Sequence, residues 1–139
     1  MFLLNKLKDV DFWERHLRDR LAEPIHLNLI SIFVQLFGSF RAKVAFDLVE
    51  RHPDGSQAFL PMSEHPFLVI VAPDEGGVPG APQAFLTDGA QGINLLRGTW
   101  HGVLTPLSAP GLFAVVDRIG TTPNLEEYRY QKPWTVVGA

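Results

Sequence analysis

Two hydrophobic periodicities divide the chain. Over residues 2–22, Leu3, Leu7, Val10, Trp13, Leu17 and Leu21 recur at three- and four-residue spacing with charged residues between them, the pattern of an amphipathic helix. Glu23-Pro24 ends it, because the residue before a proline is driven out of helical backbone. The stripe reads as a packing face against the body or a partner chain; both charge signs on the polar side argue against a membrane-surface helix. From His26 onward the period shortens to two. Ile30, Ile32, Val34 and Leu36 share one strand face before a break at Gly38-Ser39, and Val44, Phe46 and Leu48 alternate with Ala45, Asp47 and Val49. Phe67 to Val71 is the unbroken apolar run of a buried strand. Shorter strands are expected over Ala84 to Leu86, Gly92 to Leu96, Val103-Leu104, Leu112 to Arg118 and Trp134 to Val137, punctuated by Gly and Pro. Pro73 to Pro82 reads as a surface loop. The residues thus predict one domain over 1–139, mainly β, a barrel or sandwich with a helical N-terminal extension over 1–25.

The chain centres on Glu50 to Pro61, a strand, turn and strand. Pro53-Asp54-Gly55 carries turn chemistry: proline fixes φ, aspartate bonds its own backbone, and glycine tolerates positive φ. The hairpin brings His52 and Gln57 together at a sheet end, where a rigid scaffold can hold functional side chains. On this stretch alone, the favoured reading is that His52 does no more than bond a loop carbonyl.

A second informative stretch is Gln91 to Thr105, where Asn94, Arg97 and His101 interrupt an apolar strand–turn–strand. Polar groups placed there find partners or line a ligand-filled cavity. Arg97 could clamp a carboxylate through its planar fork, or ion-pair with a nearby acid. His101 could shuttle a proton near neutral pH or bind a metal. Asp117 and Arg118 fall on opposite faces of their strand, so one points inward. His65 sits in a turn and reads as solvated.

Composition removes several classes of chemistry. A net charge of −3 over 139 residues leaves no basic footprint for nucleic acid. With no Cys there is no disulfide, thiolate metal site or Cys nucleophile, which fits the cytoplasm. The start lacks a signal-peptide pattern, and Leu27 to Phe37 is too short to span a bilayer. There is no Gly-x-Ser-x-Gly, no Gly-Lys-Ser/Thr after the glycine-rich loop, and no His-x-His or His-x-x-x-His. From the residues alone, a β-barrel that takes a small anionic ligand is the reading.

Leu48 to Pro61, Pro66 to Ala72, Gln91 to Asn94, Arg97 to His101 and Val115 to Arg118 together resemble the ureidoglycolate lyase family, formerly ureidoglycolate hydrolases. The likeness covers roughly Leu48 to Tyr130 and implies a cupin-like β-barrel (double-stranded β-helix). It further implies cleavage of (S)-ureidoglycolate to glyoxylate and urea in allantoin breakdown, by a cytoplasmic homodimer. On that resemblance His52 and His101 divide the acid and base work. Arg97 holds the substrate carboxylate, Gln57 and Asn94 bond the urea end, and Asp117 orients an imidazole. The family is associated with nickel, and Arg97 to His101 resembles the second cupin motif, whose His commonly binds metal. Only His52 and Gln57 stand near the place of the first motif's ligands. The chain departs from the family at Leu95 and Leu96, where Tyr and a basic residue are common, and across its N-terminal block. Two other readings share these residues: a non-catalytic cupin-like protein that binds small anions, and an amidohydrolase releasing ammonia.

Overall fold

A computed structural model describes residues 2–4, 25–32, 43–109 and 111–137. Eleven strands are formed among them: β1 (Phe2–Leu4), β2 (Ile25–Ile32), β3 (Val44–Arg51), β4 (Gln57–Pro61), β5 (Phe67–Ala72), β6 (Gln83–Leu86), β7 (Gly92–Leu95), β8 (Trp100–Gly102), β9 (Thr105–Pro106), β10 (Gly111–Arg118) and β11 (Glu126–Val136). They build a five-stranded sheet, β1-β7-β4-β10-β2, and a six-stranded sheet, β11-β3-β8-β5-β6, with β9 paired to β5. Every strand pairing is antiparallel. The mainly-β expectation holds.

Three details differ from the sequence pattern. Phe2–Leu4, expected at the start of a helix, is a strand against β7, where it satisfies backbone groups that an edge would leave open. Ile25, placed at the end of the helical extension, begins β2; the rest of that expected helix, residues 5–24, lies outside the described residues, as do Val34 and Leu36. Val103-Leu104 connects β8 to β9 and is not itself a strand.

Alternation along the strands sorts residues between two clusters. Phe59 of β4, Ile93 and Leu95 of β7, and Phe113 and Val115 of β10 meet Phe67 and Val69 of β5 in one buried cluster, so the two sheets pack face to face. Phe67 and Phe113 meet edge-on with ring centroids 5.0 Å apart. The second cluster, Val49, Ala72 and Trp100 with Phe46, Tyr128 and Tyr130, draws on the six-stranded sheet alone. It lies on that sheet's outer face. There Arg51 donates to Asp74 (2.8 Å) and Glu126 (2.6 Å) and stacks over Trp100 at 4.4 Å, while Trp100 Nε1 donates to Asp74 (2.9 Å).

Gly55 has a use other than the expected one. Its φ is not positive; a Cβ there would lie 2.7 Å from Arg118 Cβ, so glycine lets the β3–β4 turn press against the end of β10. Among the described residues no helix is long and apolar enough to cross a membrane.

Because Phe67 is 1% exposed between the sheets, Phe67→Ala is expected to lower the unfolding free energy by about 3–5 kcal/mol in urea titrations. Met62→Ala, at a side chain 58% exposed, should stay within about 0.5 kcal/mol of the parent. Equal losses would place the core elsewhere.

Candidate active site

The site is built by register. Glu50 of β3 stands directly opposite His101 of β8, and Val49 opposite Gly102. Neighbours on an antiparallel pair share a face, so Glu50 and His101 point the same way, with Val49 and Arg51 turned to the outer face. His52, two residues past Glu50, joins the inward side: its ring lies 5.3 Å from that of His101, tilted by 33°. His101 reaches the interior, where Phe59 meets it edge-on at 6.4 Å. On the facing sheet, Gln57 shares a side with Phe59 and Leu95, and Asp117 shares one with Val115. Gln57 Nε2 donates to Asp117 Oδ2 at 3.1 Å.

Hydrogen bonding fixes the Nδ1 proton of both imidazoles. His52 Nδ1 lies 2.6 Å from the Asn124 carbonyl oxygen, and His101 Nδ1 lies 3.1 Å from that of Gly102. A carbonyl only accepts, so each Nδ1 carries a proton, and in a neutral ring the lone pair is then left on Nε2. Both Nε2 atoms are buried and unpaired. His52 therefore does bond a loop carbonyl, and still presents a free nitrogen. One ligand atom each from Glu50, His52 and His101 lies within 4.8 Å of the others, a grouping that could hold a metal ion.

Burial governs the charges. Desolvation pulls His101 down to about 4, with the nearby His52 lowering it further, while the Gly102 bond and Asp117 oppose the shift. Desolvation likewise raises the Glu50 carboxyl, partly offset by His52. At neutral pH the interior thus holds His101 uncharged.

The other sequence candidates fall at different depths. His52, His101, Gln57 and Asp117 share the interior. Asn94 alternates with the inward Ile93 and Leu95 and is paired with Ala58, which puts it on the opposite face of the five-stranded sheet. Arg97 is exposed on the β7–β8 turn, where Gly98, at φ +76°, donates from its backbone to the His52 carbonyl. Leu95 is a core residue, 2% exposed.

A family profile for ureidoglycolate lyase matches residues 12–137, nearly the whole chain. The chain belongs to the ureidoglycolate lyase family. It is 61% identical over 92 residues to a ureidoglycolate lyase of Rhodobacter capsulatus, covering 66% of this chain and 57% of that protein. It is 56% identical over 89 residues to ureidoglycolate lyase 2 of Rhizobium meliloti, covering 64% and 55%. A ureidoglycolate lyase of Chelativorans sp. is 53% identical over 93 residues, covering 67% and 56%. The chain thus spans about half the length of the curated relatives it matches.

Within this family member, Glu50 joins the cluster although it is not among the candidate residues of the sequence pattern. Its signal was present: Glu-x-His on a strand puts both side chains on one face. Asn124 was not legible, because it serves His52 through its backbone carbonyl.

The shift at His101 has a thermodynamic sign. Its folded pKa, about 4 against the ordinary 6.5, means that the unfolded chain takes up a proton first as the solution is acidified, so this group's stabilisation is lost between pH 6.5 and 4. Glu50, raised in the fold, works in the opposite direction. Chelator-treated parent and His101→Gln proteins, compared by urea unfolding across that range, should diverge by roughly 3 kcal/mol, with the parent showing the steeper loss. Parallel curves would refute the buried neutral imidazole.

Proposed function

We propose that the protein is a ureidoglycolate lyase, releasing glyoxylate and urea from (S)-ureidoglycolate in ureide catabolism, with Glu50, His52 and His101 as its reacting cluster. The observation that carries this reading is the pair of buried, unpaired Nε2 atoms beside a carboxylate, in a chain whose relatives bear the lyase name. The two sheets are read as the halves of a cupin-like barrel, supported by their face-to-face core.

The reaction breaks the bond between the carbinol carbon and the ureido nitrogen as the hydroxyl oxygen becomes the carbonyl of glyoxylate. One proton leaves the hydroxyl and one reaches the departing nitrogen, so the balance is closed. His101, neutral at working pH, can take a proton at Nε2. The imidazolium so formed at His101 is stabilised by the carboxylate of Glu50, its partner on the β3–β8 ladder. The proton then returns to the urea nitrogen from the same cluster. Arg97, on the turn bonded to the His52 backbone, is assigned to the substrate carboxylate, and Asn94 to the outer surface of its sheet rather than to the ureide.

The donor set also fits a divalent cation: two imidazole lone pairs and one carboxylate are borderline ligands of the kind nickel accepts. Glu50, His52 and His101 would hold it, and its contribution would be Lewis-acid polarisation of a substrate oxygen. The same reading makes the protein a cytoplasmic homodimer, supported by the family resemblance and the Cys-free composition. Sedimentation equilibrium should then return twice the chain mass.

The decisive test is chelator-treated protein given racemic ureidoglycolate, with and without nickel. Glyoxylate and urea without ammonia are expected, with His52→Ala and His101→Ala each losing roughly 10²–10⁴-fold in kcat/KM. Ammonia would indicate an amidohydrolase. No turnover from folded protein in either condition would favour a binding protein.

A further inference from the structure

Asp117 has both carboxylate oxygens engaged. Oδ1 accepts from the Arg118 backbone N–H at 2.8 Å, and Oδ2 accepts from Gln57 Nε2 at 3.1 Å. An ionised carboxylate has no proton to give, so it can bond only the amino end of the Gln57 amide. That fixes which way the amide faces. Its carbonyl oxygen, Oε1, is left buried and without a partner on a side chain 8% exposed. A buried acceptor without a donor is destabilising, so such an atom calls for a ligand that donates.

Other unpaired atoms lie nearby. The neutral His101 leaves a lone pair on Nε2, His52 Nε2 is likewise unpaired, and Glu50 adds a carboxyl. The fourth unpaired atom, Asn124 Nδ2, is a donor, but its side chain belongs to the β3–β4 turn: Oδ1 accepts from the Asp54 backbone at 2.7 Å, and Nδ2 lies beside Gly55. Among the described residues Gln57 Oε1 is thus the buried side-chain oxygen left without a donor.

We propose that Asp117 is a positioning residue that locks Gln57 as a hydrogen-bond acceptor, and that Gln57 Oε1 thereby selects the N–H-bearing ureido end of a ligand over its carboxylate end. This rests on the lyase reading for the identity of the substrate, but the polarity itself follows from the hydrogen bonds. It also gives Asp117 a different task from orienting an imidazole. The carboxylate terminus of a ureide would meet repulsion from Oε1, whereas its terminal NH2 finds a fixed acceptor, so one orientation of the substrate is enforced.

The test uses the 139-residue chain, chelator-treated and again with nickel added, and two probes, N-methylurea and glyoxylate, with binding read by saturation-transfer NMR alongside steady-state kinetics. Asp117→Asn keeps the shape but can donate as well as accept, which lets the Gln57 amide turn over. Gln57→Leu removes the acceptor. Each variant is expected to bind N-methylurea at least tenfold more weakly while glyoxylate binding changes less than threefold. The accompanying loss in kcat/KM for ureidoglycolate should fall chiefly on KM. Gln57→Glu should restore part of the urea affinity, since a carboxylate oxygen still accepts. Equal weakening of both probes, or urea binding undiminished in Gln57→Leu, would overturn the assignment. If Asp117→Asn does not fold, Gln57→Leu and Gln57→Glu decide it. Should the parent protein fail to turn over ureidoglycolate, the lyase reading falls, and the two probe affinities still decide the polarity of Gln57.

Discussion

The pairing of β3 with β8 is the constraint on which the interior depends. Only two residue pairs define it, Val49 with Gly102 and Glu50 with His101, yet they decide which side chains of both strands face the core. A slip of one residue would carry Glu50 and His52 outward and bring Val49 and Arg51 in. Burying an arginine there and exposing a valine that is now fully covered would cost far more than a marginally stable domain can absorb. The register is therefore held from the outside as well. Arg51 ties β3 to Glu126 of β11 and, through Asp74, to the loop after β5, while its guanidinium lies on Trp100 of β8.

The chemistry then follows from elimination of hydrogen-bonding alternatives. Two backbone carbonyls occupy the Nδ1 atoms, one carboxylate occupies the amino end of Gln57, and what is left facing inward is the unpaired Nε2 of each imidazole and the Gln57 Oε1. Burial reinforces the outcome, because a low-dielectric interior disfavours the charged forms of both His101 and Glu50. Strands rather than loops carry Glu50, Gln57, His101 and Asp117, so their positions are fixed by the ladders of two sheets.

Much of this was legible in the residues. The β3–β4 hairpin, the buried run of β5 and the strand ending in Asp117-Arg118 followed from alternation and turn chemistry, and the pairing of His52 with His101 from family likeness. Glu50 was not legible beside the oppositely charged Arg51; the ladder turns the two to opposite faces, and Arg51 pairs with Asp74 and Glu126. Asn94 looked like a site residue because it interrupts an apolar stretch, but alternation turns it away from Ile93 and Leu95; Arg97 lies where the chain reverses, on the turn bonded to the His52 backbone. Phe2–Leu4 fitted a helical stripe, and the open side of β7 outweighed three residues of local pattern.

The aromatic ladder on the outer face has a consequence for how variation in this protein is read. Trp100, Tyr128, Tyr130 and Trp134 follow one another edge-on at centroid spacings of 5.4–6.3 Å, and Tyr130 Oη donates to the Gly80 carbonyl. Trp100 is also the residue before His101. Substitutions along this ladder alter no group that faces the interior, yet they act on the strand that presents the buried imidazole. Their effects would reach the chemistry through geometry, so an outwardly conservative exchange in the tail of the chain could be mistaken for a lesion of the site itself.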